Sequence, residues 1–172
     1  ALYKLENNPN YIMKSDTSDQ CYINQITMKK NWGSNFEKYY NKIKNAVNST
    51  NGEYMTYKDE IIIAFYFSIS NGYTENCENV FSQKLSYLQS VDSSWDKKYD
   101  YKEKSIKIEI DDFLKKLNID GTTLSNINIK RSKTGRANEI IINGKVFKGT
   151  LFRSLLGLRS TDVEIEYDDK YV

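Results

Sequence analysis

The longest uninterrupted apolar run in this chain, Ile61 to Phe67, is only seven residues long. A membrane-crossing helix needs roughly 18 such residues, and an ordinary buried helix about 10 to 12. The run therefore has the length of a single strand, and the chain must be assembled from short elements joined by turns. It is rich in β-branched and aromatic residues and follows Glu53-Tyr54-Met55-Thr56-Tyr57 and a polar turn at Lys58-Asp59-Glu60. That pattern predicts a hairpin whose second strand is buried on both faces.

The other elements are equally short. Ala1 to Glu6 reads as the tail of a helix stopped by Asn7-Asn8-Pro9-Asn10, and its uncapped start leads us to expect further sequence upstream. Residues 8 to 33 carry turn formers without periodicity and read as an irregular loop. Ser34 is a plausible N-cap for a helix bearing Phe36, Tyr39, Tyr40, Ile43 and Val47 at helical spacing, closed by Asn48 to Gly52. A short helix is expected around Glu78 to Phe81, a strand at Tyr87 to Val91, and a lobe junction at Lys97 to Lys104.

In the second half, Ile106, Ile108 and Ile110 alternate as a strand, and Asp111 caps a helix through Leu117. Ile127 and Ile129 alternate again, Lys133 to Arg136 turns, and Glu139 to Ile142 returns. Asn143-Gly144 is the strongest hairpin signal in the chain and leads into Val146-Phe147. Leu151, Phe152, Leu155 and Leu156 make a helix face ended by Gly157, and Val163, Ile165 and Tyr167 a last strand. The sum is an α+β fold of hairpin-rich mixed sheets with a few helices, in two lobes, roughly 1–100 and 101–172.

Composition limits the chemistry. With no His, a Ser-His-Asp or Cys-His nucleophile and a His-ligated zinc are excluded. Two Cys can neither complete a structural zinc site nor build a disulfide framework; Cys21 and Cys77 are open to pairing, to remaining free, or to filling core positions. The balance of 25 Lys+Arg against 23 Asp+Glu gives no strong field for nucleic acid. Any chemistry falls to carboxylates, Tyr, Lys or a thiol.

The best local candidate is the polar stretch Ser68-Ile69-Ser70-Asn71-Gly72-Tyr73-Thr74-Glu75-Asn76, directly after the apolar run. Hydroxyls, amides and an aromatic ring suit sugar recognition, and Gly lets backbone approach a ligand closely. The bland alternative is a turn whose side chains satisfy its own backbone. Glu75 and Glu78 would share one face of a helical turn, as paired carboxylates or as a solvated helix start. Trp32 and Trp95 read as structural anchors, and the basic cluster Lys130, Arg131, Lys133 and Arg136 as a solvated strand end.

Several segments, in order, resemble one family. They are Asp19-Gln20-Cys21-Tyr22, Ala64 through Asn76, Tyr87 through Asp96, Ser132-Lys133-Thr134-Gly135-Arg136, and Phe152 through Thr161. Together they are similar to the stage II sporulation protein D family. The resemblance implies a peptidoglycan lytic transglycosylase that acts on denuded glycan strands during endospore engulfment. A Glu general acid would protonate the glycosidic oxygen, and the muramic 6-hydroxyl would close a 1,6-anhydro ring. The same resemblance implies a cell-wall amidase and a membrane scaffold protein as partners, with no nucleic acid and no cofactor. It implies an extracytoplasmic place between mother cell and forespore, anchored to the membrane through an upstream segment.

The family's catalytic Glu lies upstream of the helix that Ala1 to Glu6 resembles, so no catalytic residue is assigned here. The residues expected to line the glycan groove between the lobes are Ser68, Ser70, Asn71, Gly72, Tyr73 and Thr74, with Glu75 and Tyr22 beside them. Some members hold zinc near the segment matching Ser15 to Tyr22. Without His no metal site is expected here, and Cys21 is expected to fill an apolar position. The alternative is a non-catalytic glycan-binding or scaffold module that recruits the amidase.

Overall fold

A computed structural model describes residues 2–16, 19, 21–81, 83–99 and 104–172. Ala1, Gln20 and positions 100–103 of the expected lobe junction lie outside the described residues. The chain divides into two units, Ala1–Tyr66 and Phe67–Val172. The division falls well before the boundary expected near residue 100. The physical reason is that residues 71–75 bond to residues 134, 132 and 162, which ties the loop to the second half of the chain.

In the first unit, α1 (Leu2–Asn7) ends at the expected breaker. The stretch expected to be irregular contains a helix, α2 (Gln25–Trp32), because the Asn24 side chain accepts the Thr27 N–H at 2.9 Å. That is an N-cap bond, and it sets a helix without any apolar stripe to announce it. A single 3-10 turn at Gly33–Asn35 links it to α3 (Phe36–Ser49). Phe36 is buried, stacked on Trp32 and on Tyr40 with ring centroids 6.2 and 5.3 Å away. Trp32 is thus an anchor, as expected. Cys21 is exposed rather than apolar filling, and both Cys are free.

The hairpin after α3 forms only a two-residue ladder, β1 (Thr56–Tyr57) against β2 (Glu60–Ile61). Lys58 and Asp59 both take positive φ, 53° and 65°, the geometry of the tight hairpin turn whose twist matches its strands. The strand predicted through Phe67 is not there, and Phe65, Tyr66 and Phe67 are exposed. Beyond the ladder one more backbone bond forms, Ile62 N–H to Met55 C=O at 3.2 Å, and composition alone cannot bury a strand.

The second unit carries the core. β3 (Ile127–Arg131), β4 (Ala137–Ile142) and β5 (Lys145–Lys148) form an antiparallel sheet in that order, flanked by α5 (Ile110–Lys116) and α6 (Gly149–Leu156). Phe113, Leu114, Leu117, Ile140, Ile142, Phe147 and Phe152 are buried together. Each such side chain contributes about 1.5–3 kcal/mol through burial. Lys130 pairs with Glu139 but Arg131 with Ala137, so Asn138 is an extra residue on β4. This bulge resets the alternation and turns Ala137 to the same side as Ile140 and Ile142, where all three are buried. There the Ala137 carbonyl meets Gly149 so closely that a Cβ on Gly149 would overlap it. Asn143 and Gly144, with φ of 49° and 81°, make the predicted turn, and Gly157 ends α6 in the left-handed region.

Two predicted strands are extended but form no ladder. Ile106 to Ile110 contributes one bridge, Glu109 to Tyr171, beside mutual N–H···O=C bonds between Ile108 and Val172. At Val163 the carbonyl accepts from the Arg131 guanidinium instead of from a neighbouring strand. Among the described residues no helix is long and apolar enough to cross a membrane.

Candidate functional site

The polar loop is held by a segment some 15 to 25 residues further on. Gly72 C=O accepts from Ser93 N–H at 2.9 Å, and Thr74 N–H donates to Val91 C=O at 2.9 Å. Cys77 N–H reaches Leu88 C=O at 3.1 Å. Side chains fill the gaps: Val91 N–H donates to Thr74 Oγ1, Ser90 N–H to Asn76 Oδ1, and Ser90 Oγ to Thr74 C=O. This pairing explains why Tyr87 to Val91 looks like a strand in sequence. Its partner is the irregular loop, so only a bridge at Tyr73 and Asp92 forms.

At the start of the loop Ser70 is buried. Its hydroxyl shares a 2.5 Å hydrogen bond with buried Ser93 Oγ and accepts Gly72 N–H at 3.1 Å. Its own N–H donates to Asp96 Oδ2 at 2.9 Å. Gly72 has φ +106°, and the stem of Lys97 occupies the place a Cβ would take. A side chain there would be strained by the positive φ and would displace the flexible end of Lys97.

A second brace comes from the turn between β3 and β4. Glu75 is its centre. One carboxylate oxygen accepts Asn76 N–H at 2.9 Å and Asn79 Nδ2 at 2.8 Å, and the other accepts Ser132 Oγ at 2.6 Å and Thr134 Oγ1. Around it Arg136 donates to Thr134 Oγ1 and to the Tyr73 carbonyl at 3.0 Å. Asn71 Nδ2 donates to Thr134 C=O at 3.0 Å and to Asp162 Oδ2 at 2.9 Å, while its Oδ1 is buried without a partner. Burial pushes the Glu75 carboxyl pKa up, but bonds from Ser132, Thr134, Asn79 and Asn76 outweigh that and hold it below the ordinary value. Glu75 is ionised at neutral pH and is poorly suited to donate a proton.

The expected residues therefore divide. Ser70, Asn71, Thr74 and Glu75 bond to the protein itself, and Gly72 gives passage to Lys97. Ser68 is exposed, and Tyr73 is 45% exposed. Tyr22 belongs to the first unit and is 74% exposed.

Three expectations need correction. Glu75 precedes the short helix α4 (Cys77–Val80), so it does not share a helical face with exposed Glu78. Trp95, expected to be an anchor, is 60% exposed, because its 3-10 turn (Ser94–Lys98) is pinned through Ser93 and Asp96 instead. The third is corrected only in part: Lys130, Arg131 and Lys133 are exposed, as a solvated strand end is, but Arg131 also binds Gly135 C=O, Val163 C=O and Glu164, and Arg136 binds the loop. Sequence reasoning missed Ser93, Asp96, Ser132, Thr134 and Arg136 as the frame of this loop. The one local signal available was a hydroxyl-rich turn carrying a lone Arg.

No family model matches the chain. It is similar to proteins named stage II sporulation protein D in Bacillus subtilis and in Bacillus amyloliquefaciens, 37% identical over 147 residues in each case. Those matches cover 84% of this chain and 43% of each relative, so the chain spans less than half the length of these relatives. An uncharacterized protein of Brachyspira hyodysenteriae is 24% identical over 169 residues, covering 92% of this chain and 42% of that protein.

Proposed function

This chain belongs to the stage II sporulation protein D family, a family of sporulation proteins, and on that premise we propose that it is the glycan-holding body of a peptidoglycan lytic transglycosylase. The observation that carries the reading is the double bracing of the loop Ser68 to Asn76. A loop tied to residues 88–96 on one side and to residues 132–136 on the other is held in one shape while Ser68 and the Tyr73 ring stay open to solvent. Preorganised polar and aromatic groups of this kind suit a pyranose, whose ring face stacks and whose hydroxyls hydrogen-bond.

In the reaction we propose, a Glu from the part of the protein outside this chain protonates the oxygen linking N-acetylmuramic acid to N-acetylglucosamine. The C1–O bond breaks, the muramic 6-hydroxyl bonds to C1, and its proton returns to the carboxylate. No water is consumed, in contrast to glycoside hydrolysis. Glu75 does not serve as that acid: its carboxylate is committed to four donors and titrates low. That same observation favours a second reading, in which the protein binds glycan without cleaving it and recruits a cell-wall amidase. On either reading the protein works outside the cytoplasm during engulfment, together with that amidase and a membrane scaffold protein.

The complete protein, incubated with glycan strands stripped of stem peptides, should release products ending in 1,6-anhydro-N-acetylmuramic acid, identified by mass spectrometry. Reducing-end hydrolysis products alone would overturn the transglycosylase reading. Binding without any cleavage would establish the second.

A further inference from the structure

Asn is followed by Gly at Asn51-Gly52, Asn71-Gly72 and Asn143-Gly144. In such a pair the Asn side chain is open to attack by the next backbone nitrogen, because glycine places no Cβ beside it. The fold treats the three pairs differently. At Asn71 the side-chain amide donates to Thr134 C=O and to Asp162 Oδ2, its oxygen is buried, and Gly72 N–H is held by Ser70 Oγ at 3.1 Å. At Asn143 the side-chain oxygen accepts from Ser125 N–H and Oγ, and the amide donates to Thr123 C=O at 2.8 Å. Both side chains must give up these partners before their carbonyl carbon can reach the glycine nitrogen. Asn51 is exposed in the turn after α3. Among the described residues neither its side chain nor the Gly52 N–H has a hydrogen-bond partner, and nothing lies within 4 Å of the place a Gly52 Cβ would take.

We infer that Asn51 is a site of spontaneous deamidation, and that the fold withholds the same reaction from Asn71 and Asn143. A base in solution takes the Gly52 amide proton, the nitrogen bonds to Asn51 Cγ, and the Cγ–Nδ2 bond breaks. The departing nitrogen takes up a proton from water and leaves as ammonia, and a five-membered succinimide remains. Water then adds to one of the two ring carbonyls and opens the ring to aspartate or isoaspartate. One water is consumed and one ammonia released. Either product places a carboxylate just beyond the C-terminus of α3, where the helix dipole opposes it, and isoaspartate also lengthens the backbone there by one carbon. The reaction is thus directed at the link between α3 and the β1–β2 hairpin. The bonds that shape the braced loop have a second effect, the chemical preservation of Asn71.

The test is peptide mapping by mass spectrometry of the chain aged at mildly alkaline pH, in buffer and in concentrated urea. In urea the three sites should convert at comparable rates, because only the Asn-Gly sequence remains. In the folded chain Asn51 should react within about threefold of its rate in urea, whereas Asn71 and Asn143, which must wait for local opening, should slow about tenfold or more. Separate elution of the two product peptides identifies isoaspartate at position 51. Asn51 slowed by folding as strongly as the other two would overturn the inference. So would Asn71 or Asn143 converting as fast as Asn51 in the folded chain.

Discussion

Replacing Glu75 tests the bracing of the loop directly. Glu75→Ala removes one acceptor group and leaves the Asn76 N–H, the Asn79 amide and the Ser132 and Thr134 hydroxyls without their partner. A hydrogen bond of this kind contributes about 1 kcal/mol net, and more when the acceptor is charged. The carboxylate is only partly buried, so water re-solvates some of the donors and the hydroxyls can turn elsewhere. Taking about half of the summed bond energy gives an expected loss of about 2 kcal/mol, read as a lower urea midpoint of the chain at neutral pH. Glu75→Gln keeps one carbonyl oxygen for two of the four donors and should lose about 1 kcal/mol.

The pH dependence supplies a second, independent readout. The Glu75 pKa is lowered in the folded chain, so its contribution is complete above the unfolded carboxyl value of 4.5 and is lost as pH falls through the lower folded value. Unfolding titrations from neutral pH down into the acid range should therefore show a shallower acid limb for Glu75→Gln than for wild type. A poised general acid would have a raised pKa and the opposite sign, its protonated form stabilising the fold at low pH. A Glu75→Ala chain within about 0.5 kcal/mol of wild type, with an unchanged acid limb, would refute the bracing argument.

Two further substitutions test the packing that supports the site. Gly149→Ala drives a methyl into the Ala137 carbonyl, so α6 must lift from β4, and thermal unfolding should show a loss of about 1–3 kcal/mol. Asn143 has φ 49°, and its side chain accepts from Ser125 N–H and Oγ and donates to Thr123 C=O, so Asn143→Ala should cost about 2 kcal/mol by chemical denaturation. Asn143→Gly relieves the backbone strain but not the lost bonds, and should recover only part of that loss.

What was legible in the sequence was local. Asn143-Gly144, the Ile127 and Ile129 alternation and the Leu151 to Leu156 face each announce an element through neighbours a few residues apart, and each stands where predicted. The apolar run at Ile61 failed as a buried strand because composition reports apolar residues but not what covers them, and Phe65, Tyr66 and Phe67 are exposed. Helix α2 went unseen because a capping bond, not an apolar stripe, defines it. The clasp around Glu75 joins residues 57 and 59 apart in sequence, and the Asn71–Asp162 bond spans 91. No periodicity within a window of ten residues reports a contact of that range.

The same distinction changes what the loop residues mean. Ser, Asn, Thr and Glu in a polar turn carry two readings, a self-satisfied turn or a sugar-binding surface, and the sequence offers no way to choose. The structure separates these residues by where their side chains go. Ser70, Asn71, Thr74 and Glu75 bond inward, to Ser93, Thr134, Val91 and Ser132, and form the frame. Ser68 and Tyr73 remain exposed, beside a lysine that the missing Cβ of Gly72 admits. Substitutions in the frame should therefore lower stability and weaken neutral and acidic saccharides alike. Substitution of exposed Tyr73 should leave the fold as it is and, on the proposed glycan-holding reading, weaken saccharide binding. That contrast tells a positioning residue from a contact residue, and it can be measured on the chain alone.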